Sequence, residues 1–275
     1  MGFAGGISAG GLWAEPMADV REALTQWGDL TQGINICNPQ SLALPLQKFT
    51  FAQAQNWFAI TGSFAADCEI WLNPAAFPLD HKTPISAFNP AQPKHGIKIV
   101  ALAPAPELQL FIGGDDVNVF IGAVPHFVMH ATLWGGSNLI IGDDTTCNAA
   151  RAVLQNSTLT IGRDAMLSDE ILLQGSQQHT LVDLGTMSVL NQAHETTIIG
   201  EHVWLGRRAV VMPGVRIGKG AVLAAGAVAT RDIPECCIAA GVPAAVIRQN
   251  VSWCRNDRNE IDQAELAAAG LISPA

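Results

Sequence analysis

Residues 198–234 read "IIGEHVWLGRRAVVMPGVRIGKGAVLAAGAVATRDIP", and their apolar residues recur every six positions. When the stretch is cut into sixes from Ile199, the first and fifth positions of every unit are apolar. The first positions are Ile199, Leu205, Val211, Ile217, Leu223 and Ala229, and the fifth are Val203, Ala209, Val215, Ala221, Ala227 and Ile233. A period of six fits neither a helix of 3.6 residues per turn nor the two-residue alternation of a single strand. It predicts short strands joined by tight corners, with each coil stacked on the one below.

Weaker copies of the same pattern precede this block. They are "LFIGG" (110–114), "VFIGA" (119–123), "LIIGDD" (139–144) and "LTIGRD" (159–164). The last three begin twenty residues apart, slightly more than three units of six. This spacing predicts further coils that carry small extra turns.

The composition of the 275 residues limits the possible functions. The chain is 49% hydrophobic and 14% charged, which favours a globular protein with extensive buried surface. Its net charge is −9 and it has no basic run, so we expect no nucleic-acid partner. No apolar stretch reaches the roughly 18 to 20 residues that a membrane span needs, and the first residues lack the basic charges of a signal peptide, so the expected compartment is the cytoplasm.

The six cysteines, Cys37, Cys68, Cys147, Cys236, Cys237 and Cys254, contain no C-x-x-C pair. We interpret them as reduced, mostly buried thiols rather than as a disulfide framework or a zinc site.

The ends of the chain lack the period of six. We predict an N-terminal cap domain over residues 1–107, with a helix in residues 15–28, short strands in 47–64 and 68–72, and a proline-rich loop over 73–93. Residues 108–253 are predicted to form the domain of stacked strands. Residues 254–275 are predicted to form a C-terminal helix or tail.

The period is interrupted once, after residue 178. The six-residue pattern holds from Leu167 through Gln178, His179 stands where the next unit should begin, and the pattern resumes at Thr197. A coil of stacked strands has smooth sides, so a pocket requires an interruption, and function concentrates in such loops. His179 is therefore predicted to lie at the mouth of a functional loop.

Several short motifs now resemble those of a known family. They are "SQQH" (176–179), "HVWLGR" (202–207), "ATRDIP" (229–234), "GVPAAVIR" (241–248) and Trp253. Together they resemble the hexapeptide-repeat acyltransferases, most closely the O-acetyltransferases of capsular polysaccharide and polysialic acid. The resemblance covers about residues 110–253 and implies an all-β fold, a left-handed parallel β-helix, here with a β-rich N-terminal cap and a C-terminal helix.

The resemblance implies an acetyl-CoA-dependent O-acetyltransferase that acts on a bacterial surface polysaccharide or its precursor, without a metal. Attack of a sugar hydroxyl on a thioester needs a base near neutral pH, and imidazole, with a reference pKa of about 6.5, suits this role. The family motif assigns the general base to His179. Ser176 and Gln177 precede it in the motif and are predicted to bind the acceptor.

Gln177 departs from the family pattern, which has Asp two residues before the histidine. An amide can orient the imidazole but cannot neutralise its charge. Either another carboxylate, such as Asp169 or Asp183, supplies the charge, or the base works without one. The other two histidines of this region, His194 and His202, are expected to have no catalytic role, with His202 on the surface.

Trp204 is predicted to be a catalytic pocket residue beside the base, although it could instead pack under the loop. Backbone N–H groups near Trp204 and Gly206 are candidates to stabilise the oxyanion. In the family, acetyl-CoA lies along the last coils, between neighbouring subunits of a homotrimer. The predicted cofactor-binding residues are Gly206, Arg207, Ala224, Ala225, Arg231 and Arg248.

Other functions remain open at this point. The same scaffold and cofactor serve N-acetylation of an amino sugar nucleotide. A zinc hydratase of the γ-carbonic-anhydrase type would use His126 and His130, which lack an evident third ligand. A non-catalytic assembly module would not bind coenzyme A. Aromatic residues of the N-terminal region could stack on sugars or pack in the core.

Overall fold

The structure, a computed structural model, describes residues 18–25, 35–79, 82–191 and 194–273. The helices in these ranges are α1 (Val20–Thr25), α2 (Pro39–Leu42) and α3 (Gln263–Ala268), with 3₁₀ turns at Gln53–Asn56 and Pro74–Ala76.

The other elements are short strands. The first twelve are β1 (Ala18–Asp19), β2 (Pro45–Thr50), β3 (Phe58–Thr61), β4 (Glu69–Leu72), β5 (Thr83–Ala87), β6 (Lys98–Ala101), β7 (Leu108–Ile112), β8 (Asn118–Ile121), β9 (His126–Leu133), β10 (Asn138–Ile141), β11 (Thr146–Leu154) and β12 (Ser157–Ile161). The remaining strands are β13 (Met166–Leu167), β14 (Ile171–Gln174), β15 (Val182–Asp183), β16 (Ser188–Val189), β17 (Glu195–Ile199), β18 (Trp204–Leu205), β19 (Val210–Val211), β20 (Arg216–Ile217), β21 (Val222–Leu223), β22 (Val228–Ala229), β23 (Cys237–Ala240) and β24 (Ala245–Gln249).

The strands form a left-handed parallel β-helix of about eight turns, as predicted. A nine-stranded sheet covers one side, in the order β1-β2-β4-β6-β8-β10-β12-β17-β20. A thirteen-stranded sheet covers the other two sides, because β11 pairs with β13 near its start and with β14 near its end. In the first sheet, Asn118, Asn138 and Thr158 are in register. This confirms the predicted twenty-residue coils.

The apolar residues that recur every six positions form the interior of the β-helix. All twelve first and fifth positions between Ile199 and Ile233 are buried. They belong to one hydrophobic core that extends along the helix from Phe49 to Ala239. Full burial of a Leu or Ile side chain contributes roughly 1.5 to 3 kcal/mol, so the repeat supplies both the geometry and the stability of the coil.

One corner of the helix is built from residues in the left-handed backbone region. Asp144, Asp164, His202 and Gly220 follow one another along it, with φ of 59°, 58°, 52° and 67°. The N–H of each of the last three donates to a carbonyl of the preceding coil, as from His202 to Arg163 at 3.0 Å. Glycine adopts this conformation without strain, and Asn, Asp and His are the other residues enriched in it.

The β-helix begins before the repeat can be recognised in the sequence. On the N-terminal side of residue 108, β3 pairs in parallel with β5, and β4 pairs in parallel with β6. The predicted proline-rich loop is therefore wrong in its middle, because β5 crosses it with alternating buried residues, Thr83 and Ile85. The division into a cap and a β-helix at residue 107 stays a prediction.

A second, smaller core lies outside the coil. Helix α1 and the segment around Ile36 pack on the outer face of the nine-stranded sheet, against Val100, Phe120 and Ile140. The strands predicted in residues 47–64 and 68–72 are present as β2, β3 and β4. Of the helix predicted over residues 15–28, residues 20–25 are helical, and residues 18 and 19 form strand β1 instead. Residues 15–17 and 26–28 lie outside the described residues.

The interruption of the repeat is an excursion from the coil that begins at residue 175 and is described as far as residue 191. It carries a small antiparallel hairpin, in which Val182 pairs with Val189. Its apolar side chains are unusually exposed, with Leu184 at 84% and Met187 at 75%.

Candidate active site

His179 lies where the excursion leaves the coil. Its backbone N–H donates to the carbonyl of Gln177 at 2.7 Å, and its carbonyl accepts a hydrogen bond from the side chain of Asn191 at 3.0 Å. The residue is exposed. Among the described residues, no hydrogen bond or ion pair engages its imidazole. The main chain thus holds His179 in place while its ring remains accessible to a ligand.

The two residues predicted to bind the acceptor differ in accessibility. Gln177 is exposed at the same corner as His179. Ser176 is buried, with 6% of its surface exposed, and its hydroxyl has no partner among the described residues. Its carbonyl accepts a hydrogen bond from the Gln174 amide at 2.7 Å, which fixes the start of the excursion. Only Gln177 is presented to a ligand in this arrangement.

The two carboxylates considered as partners of His179 are engaged elsewhere. Asp169 pairs with Arg207, Oδ1 to Nε at 2.9 Å, and this hydrogen bond lowers the pKa of Asp169. Asp183 accepts the N–H groups of Thr186 and Gly185, which lower its pKa as well. In the part of the chain that the structure describes, His179 therefore has no carboxylate partner.

Trp204 lies on a different side of the coil from His179. It begins β18, the second strand after the excursion, and 36% of its surface is exposed. Its indole N–H donates to the hydroxyl of Ser168 at 3.3 Å, and its ring lies 6.1 Å from that of Trp253. No hydrogen bond or ring contact joins Trp204 to His179 among the described residues.

The predicted backbone oxyanion donors are wrong. The N–H of Trp204 donates to Ala221 at 3.0 Å, and that of Gly206 donates to Leu223 at 2.8 Å. Both groups belong to the ladders between coils, so neither is free to bind an oxyanion.

Four of the predicted cofactor residues meet at one corner. Gly206 faces Ala224 and Ala225 of the next coil so closely that a Cβ atom on Gly206 would lie 2.6 Å from the Ala225 nitrogen. Arg207 is adjacent and exposed. Around the neighbouring Gly226, a Cβ atom would meet nothing within 4 Å. The small residues thus leave an open, shallow surface beside a guanidinium group.

The other two predicted cofactor residues lie elsewhere. Arg231 follows β22, which continues the side formed by β14 and β19, so Arg231 is on the edge of the helix from which the excursion leaves. Arg248 is in β24, an exposed edge strand in which it pairs with Ile238. Within one chain the six residues do not form a single surface.

A buried cluster that the sequence did not reveal lies next to Trp204. His202 was predicted to be on the surface, but it is fully buried. Its Nδ1 lies 2.7 Å from Asp164 Oδ2, and its Nε2 lies 2.9 Å from the carbonyl of Trp253. Its ring stacks on that of Trp253 at 4.3 Å. The C-terminal segment, 51 residues away in sequence, covers the corner and explains the error.

Arg255 completes this cluster. Its guanidinium binds Asp164 Oδ1 at 2.8 Å and Thr146 Oγ1 at 2.9 Å. Burial alone would raise the pKa of Asp164, but the hydrogen bonds from His202 and Arg255 outweigh burial and lower it.

His194, expected to have no catalytic role, lies at the C-terminal end of the excursion. Its Nε2 is 3.1 Å from Thr158 Oγ1, which also accepts a hydrogen bond from Asn138.

His126 and His130, the two possible zinc ligands, are not brought together with a third ligand in the described residues. His126 pairs with Glu107 at 3.2 Å, at the start of β9, and His130 is exposed farther along the same strand. Within the described ranges, no group of three or more metal-binding side chains is assembled. The described helices include none that is long and apolar enough to span a membrane.

The coil, its hexapeptide repeat and the excursion that carries His179 are features of a hexapeptide-repeat β-helix fold. Residues 196–231 match the family model described as bacterial transferase hexapeptide (six repeats). Together with the relatives below, this match confirms the resemblance to the hexapeptide-repeat acyltransferases.

Among the proteins that are similar to this chain in sequence or structure are O-acetyltransferases. A polysialic acid O-acetyltransferase of Escherichia coli O1:K1 is 38% identical over 127 residues, which cover 46% of this chain and 41% of the relative. The crystal structure of the polySia specific acetyltransferase NeuO is similar with a TM-score of 0.62 and 26% identity, covering 79% of this chain and 96% of that one.

The repeat is also shared with enzymes that acetylate nitrogen. A 2,3,4,5-tetrahydropyridine-2,6-dicarboxylate N-acetyltransferase of Staphylococcus aureus is 52% identical over 64 residues, 23% of this chain and 26% of that protein. The chain thus matches less than half the length of both sequence relatives.

Proposed function

We propose that the chain is an acetyl-CoA-dependent O-acetyltransferase that modifies a hydroxyl of a bacterial surface polysaccharide or its precursor. The observation that carries the proposal is the accessible imidazole of His179, held by its main chain at the only excursion of the described β-helix between β7 and β23. The similarity to a polysialic acid O-acetyltransferase supports the acceptor class.

His179 acts as the general base. Its imidazole takes the proton of the acceptor hydroxyl while the hydroxyl oxygen attacks the thioester carbonyl. The protonated ring then returns the proton to the departing coenzyme A thiolate, so the ring ends the cycle neutral. General-base catalysis of this kind contributes typically 10² to 10⁴ in rate. Since the described residues place no carboxylate against His179, we propose that this base works without one.

Trp204 is the donor that we assign to the oxyanion, through its indole N–H. That group is bound to Ser168 at 3.3 Å, a long hydrogen bond that a stronger acceptor would displace. The indole N–H takes the place of the backbone N–H groups of Trp204 and Gly206, which are already hydrogen-bonded to the next coil. Acetyl-CoA binds at the corner formed by Gly206, Arg207, Ala224 and Ala225, where the small side chains leave room for it. Arg207, Arg231 and Arg248 are candidates for its phosphates.

We infer that the enzyme is a homotrimer. His179 and Trp204 lie on different sides of one chain, as do Arg231 and the corner of Ala225, so a neighbouring copy is needed to unite each pair. The exposed apolar hairpin of the excursion supplies a contact surface, because side chains such as Leu184 are otherwise left in water. Sedimentation of the native chain and of Leu184→Asp tests this assembly, which is expected to weaken in the variant.

The cytoplasm is the compartment that we propose, since acetyl-CoA is made there. All six cysteines are free thiols in the structure, which fits a reducing environment.

The test of the proposed function is coenzyme A release from acetyl-CoA in the presence of sialic acid oligomers, neutral oligosaccharides and amino sugar nucleotides. The product of a productive acceptor is then treated with mild base, which removes O-acetyl esters and leaves N-acetyl amides intact. Base-labile acetyl groups support the proposal. Base-stable acetyl groups would replace it with N-acetylation, a candidate favoured by the Staphylococcus aureus relative.

A further inference from the structure

Three aromatic side chains form a cluster on the outside of the β-helix. Phe88 packs edge to face on Phe111, with ring centroids 5.8 Å apart, and on Trp134 at 5.5 Å. Phe88 is 51% exposed, and the other two rings are partly exposed. None of the three belongs to either hydrophobic core. These rings therefore contribute little to the interior and present apolar surface to solvent.

The indole of Trp134 packs closely against the backbone of a glycine. A Cβ atom on Gly113, in the preceding coil, would lie 2.3 Å from Cε3 of the Trp134 ring. The indole thus lies directly over the Gly113 backbone, in space that any other residue would occupy. A rigid ring loses little conformational entropy when it binds a ligand.

The cluster lies on the same edge of the helix as His179. Ile112, Leu133 and Leu154 are in register, and Val153 pairs with Gln174. The residues that follow these strands therefore stack at one corner, in the order Phe88, Gly113, Trp134, Gln155 and Ser176. Ser176 opens the excursion that carries His179. At about 4.8 Å per coil, Trp134 is roughly 10 Å and Phe88 roughly 19 Å from Ser176 along this edge.

Polar side chains that suit a carbohydrate lie beside the rings. Gln109, His130 and Arg151 are exposed and in register on the neighbouring outward face of the sheet. Aromatic faces bind the C–H faces of sugar rings, while amide and guanidinium groups bind hydroxyls and carboxylates.

The size of the cluster argues against a subunit contact. A Phe or Trp side chain has about 150 to 250 Å² of surface to bury, and part of it is already covered here. A stable protein interface needs about 800 Å² from each partner. Three partly covered rings fit a narrow ligand better than a protein surface.

We propose that Phe88, Phe111 and Trp134 form a docking site for a carbohydrate chain, remote from the reacting unit. This inference rests on the proposed function, because it takes the reacting sugar to lie at His179. The sugar units that follow the reacting one along the edge would reach Trp134 and then Phe88. The enzyme then prefers long acceptors to short ones.

Binding and turnover are measured separately to test the site. Binding of short and long sialic acid oligomers, and of neutral maltooligosaccharides of matched lengths, is measured by calorimetry with full-length His179→Ala, Phe88→Ala and Trp134→Ala. Ile272→Ala, an exposed apolar residue near the C-terminus, is the matched control. Turnover with the same acceptors is measured for the variants that retain His179. Thermal melting identifies any variant that does not fold, and Phe88→Ala, at an exposed position, is expected to melt like the native chain.

We expect Phe88→Ala and Trp134→Ala to weaken binding of long oligomers roughly two- to tenfold, the effect of losing one ring contact. Short oligomers and Ile272→Ala should be unaffected. Unchanged binding in folded Phe88→Ala overturns the docking site, even if acetylation occurs. Loss of long-oligomer binding without turnover of any acceptor supports the docking site and contradicts the proposed function. Dissociation of an oligomer in Phe88→Ala would instead assign the rings to a contact between copies and overturn the proposal.

Discussion

His202 and Trp253 form a reciprocal pair in which their rings stack at 4.3 Å with only 10° between their planes. The Trp253 indole N–H donates to the His202 carbonyl at 2.8 Å, and His202 Nε2 faces the Trp253 carbonyl at 2.9 Å. The other ring nitrogen faces the carboxylate of Asp164, so both nitrogens of His202 point at acceptor oxygens. The pair holds the C-terminal segment on the coil beside Trp204.

Trp253→Ala should therefore destabilise the fold strongly. The change removes a large buried ring and leaves the His202 carbonyl without a partner, at a cost of roughly 3 to 5 kcal/mol. Urea denaturation checks this, with Ile261→Ala as the control, because Ile261 is 77% exposed in the same segment. Equal midpoints for the two variants would show that the pair does not anchor the segment.

The stabilisation by Asp164 should depend on pH with a defined sign. Its pKa is lowered from 3.8 in the folded chain, because hydrogen bonds from His202 and Arg255 outweigh its burial. The folded state thus binds the proton less well than the unfolded state, so the contribution is complete above the unfolded pKa. It is lost as pH falls from about 4 through the lower folded value.

Asp164→Asn removes this contribution. The difference in free energy of unfolding between the native chain and Asp164→Asn should be largest near neutral pH and should shrink below pH of about 4. Denaturation at a series of pH values measures it. A difference that grows toward acid pH would contradict the assigned hydrogen bonds.

Gly206→Ala should disturb the corner proposed to hold the donor substrate. A Cβ atom there would be 2.6 Å from the backbone nitrogen of Ala225, which cannot move without its coil. We expect a loss of about 1 to 3 kcal/mol in stability and weaker binding of coenzyme A. Gly185→Ala is the control, because its Cβ would meet only the flexible Asp183 side chain at 3.3 Å. Native-like stability and coenzyme A affinity in Gly206→Ala would contradict this packing.

The cysteines should differ in reactivity. Burial raises the pKa of Cys37 and of Cys147 to about 12, so both thiols stay protonated and shielded near neutral pH. Only Cys236 and Cys254 are partly exposed. Mass spectrometry after alkylation of the folded chain should find modification at these two, and at all six after denaturation. Early labelling of Cys147 would indicate that the coil opens locally.

The repeat between Ile199 and Ile233 was sufficient to predict the β-helix, because a six-residue period has few other structural solutions. Residues before 108 join the same coil without showing the period, since their strands are separated by loops of unequal length. The placement of His179 at an interruption also followed from the pattern. The burial of His202 did not, because the residue that covers it is distant in sequence and the hexapeptide position alone indicates an outward corner.

The residues that surround His179 could not be predicted from the sequence either. Asp169 and Asp183 are near His179 in number, but one pairs with Arg207 across coils and the other caps a hairpin turn. Which group meets a side chain at a corner depends on the register between coils, and a sequence period does not define that register.

The central claim is tested most directly by the rate of acetyl transfer in His179→Ala, measured against His95→Ala. Both histidines are exposed, and His95 lies in the early coils, where it pairs with Asp67. With a productive acceptor, we expect kcat to fall by about 10² or more in His179→Ala, with unchanged melting temperature, and to stay native-like in His95→Ala. Native-like turnover by folded His179→Ala would show that the base lies elsewhere and would contradict the mechanism.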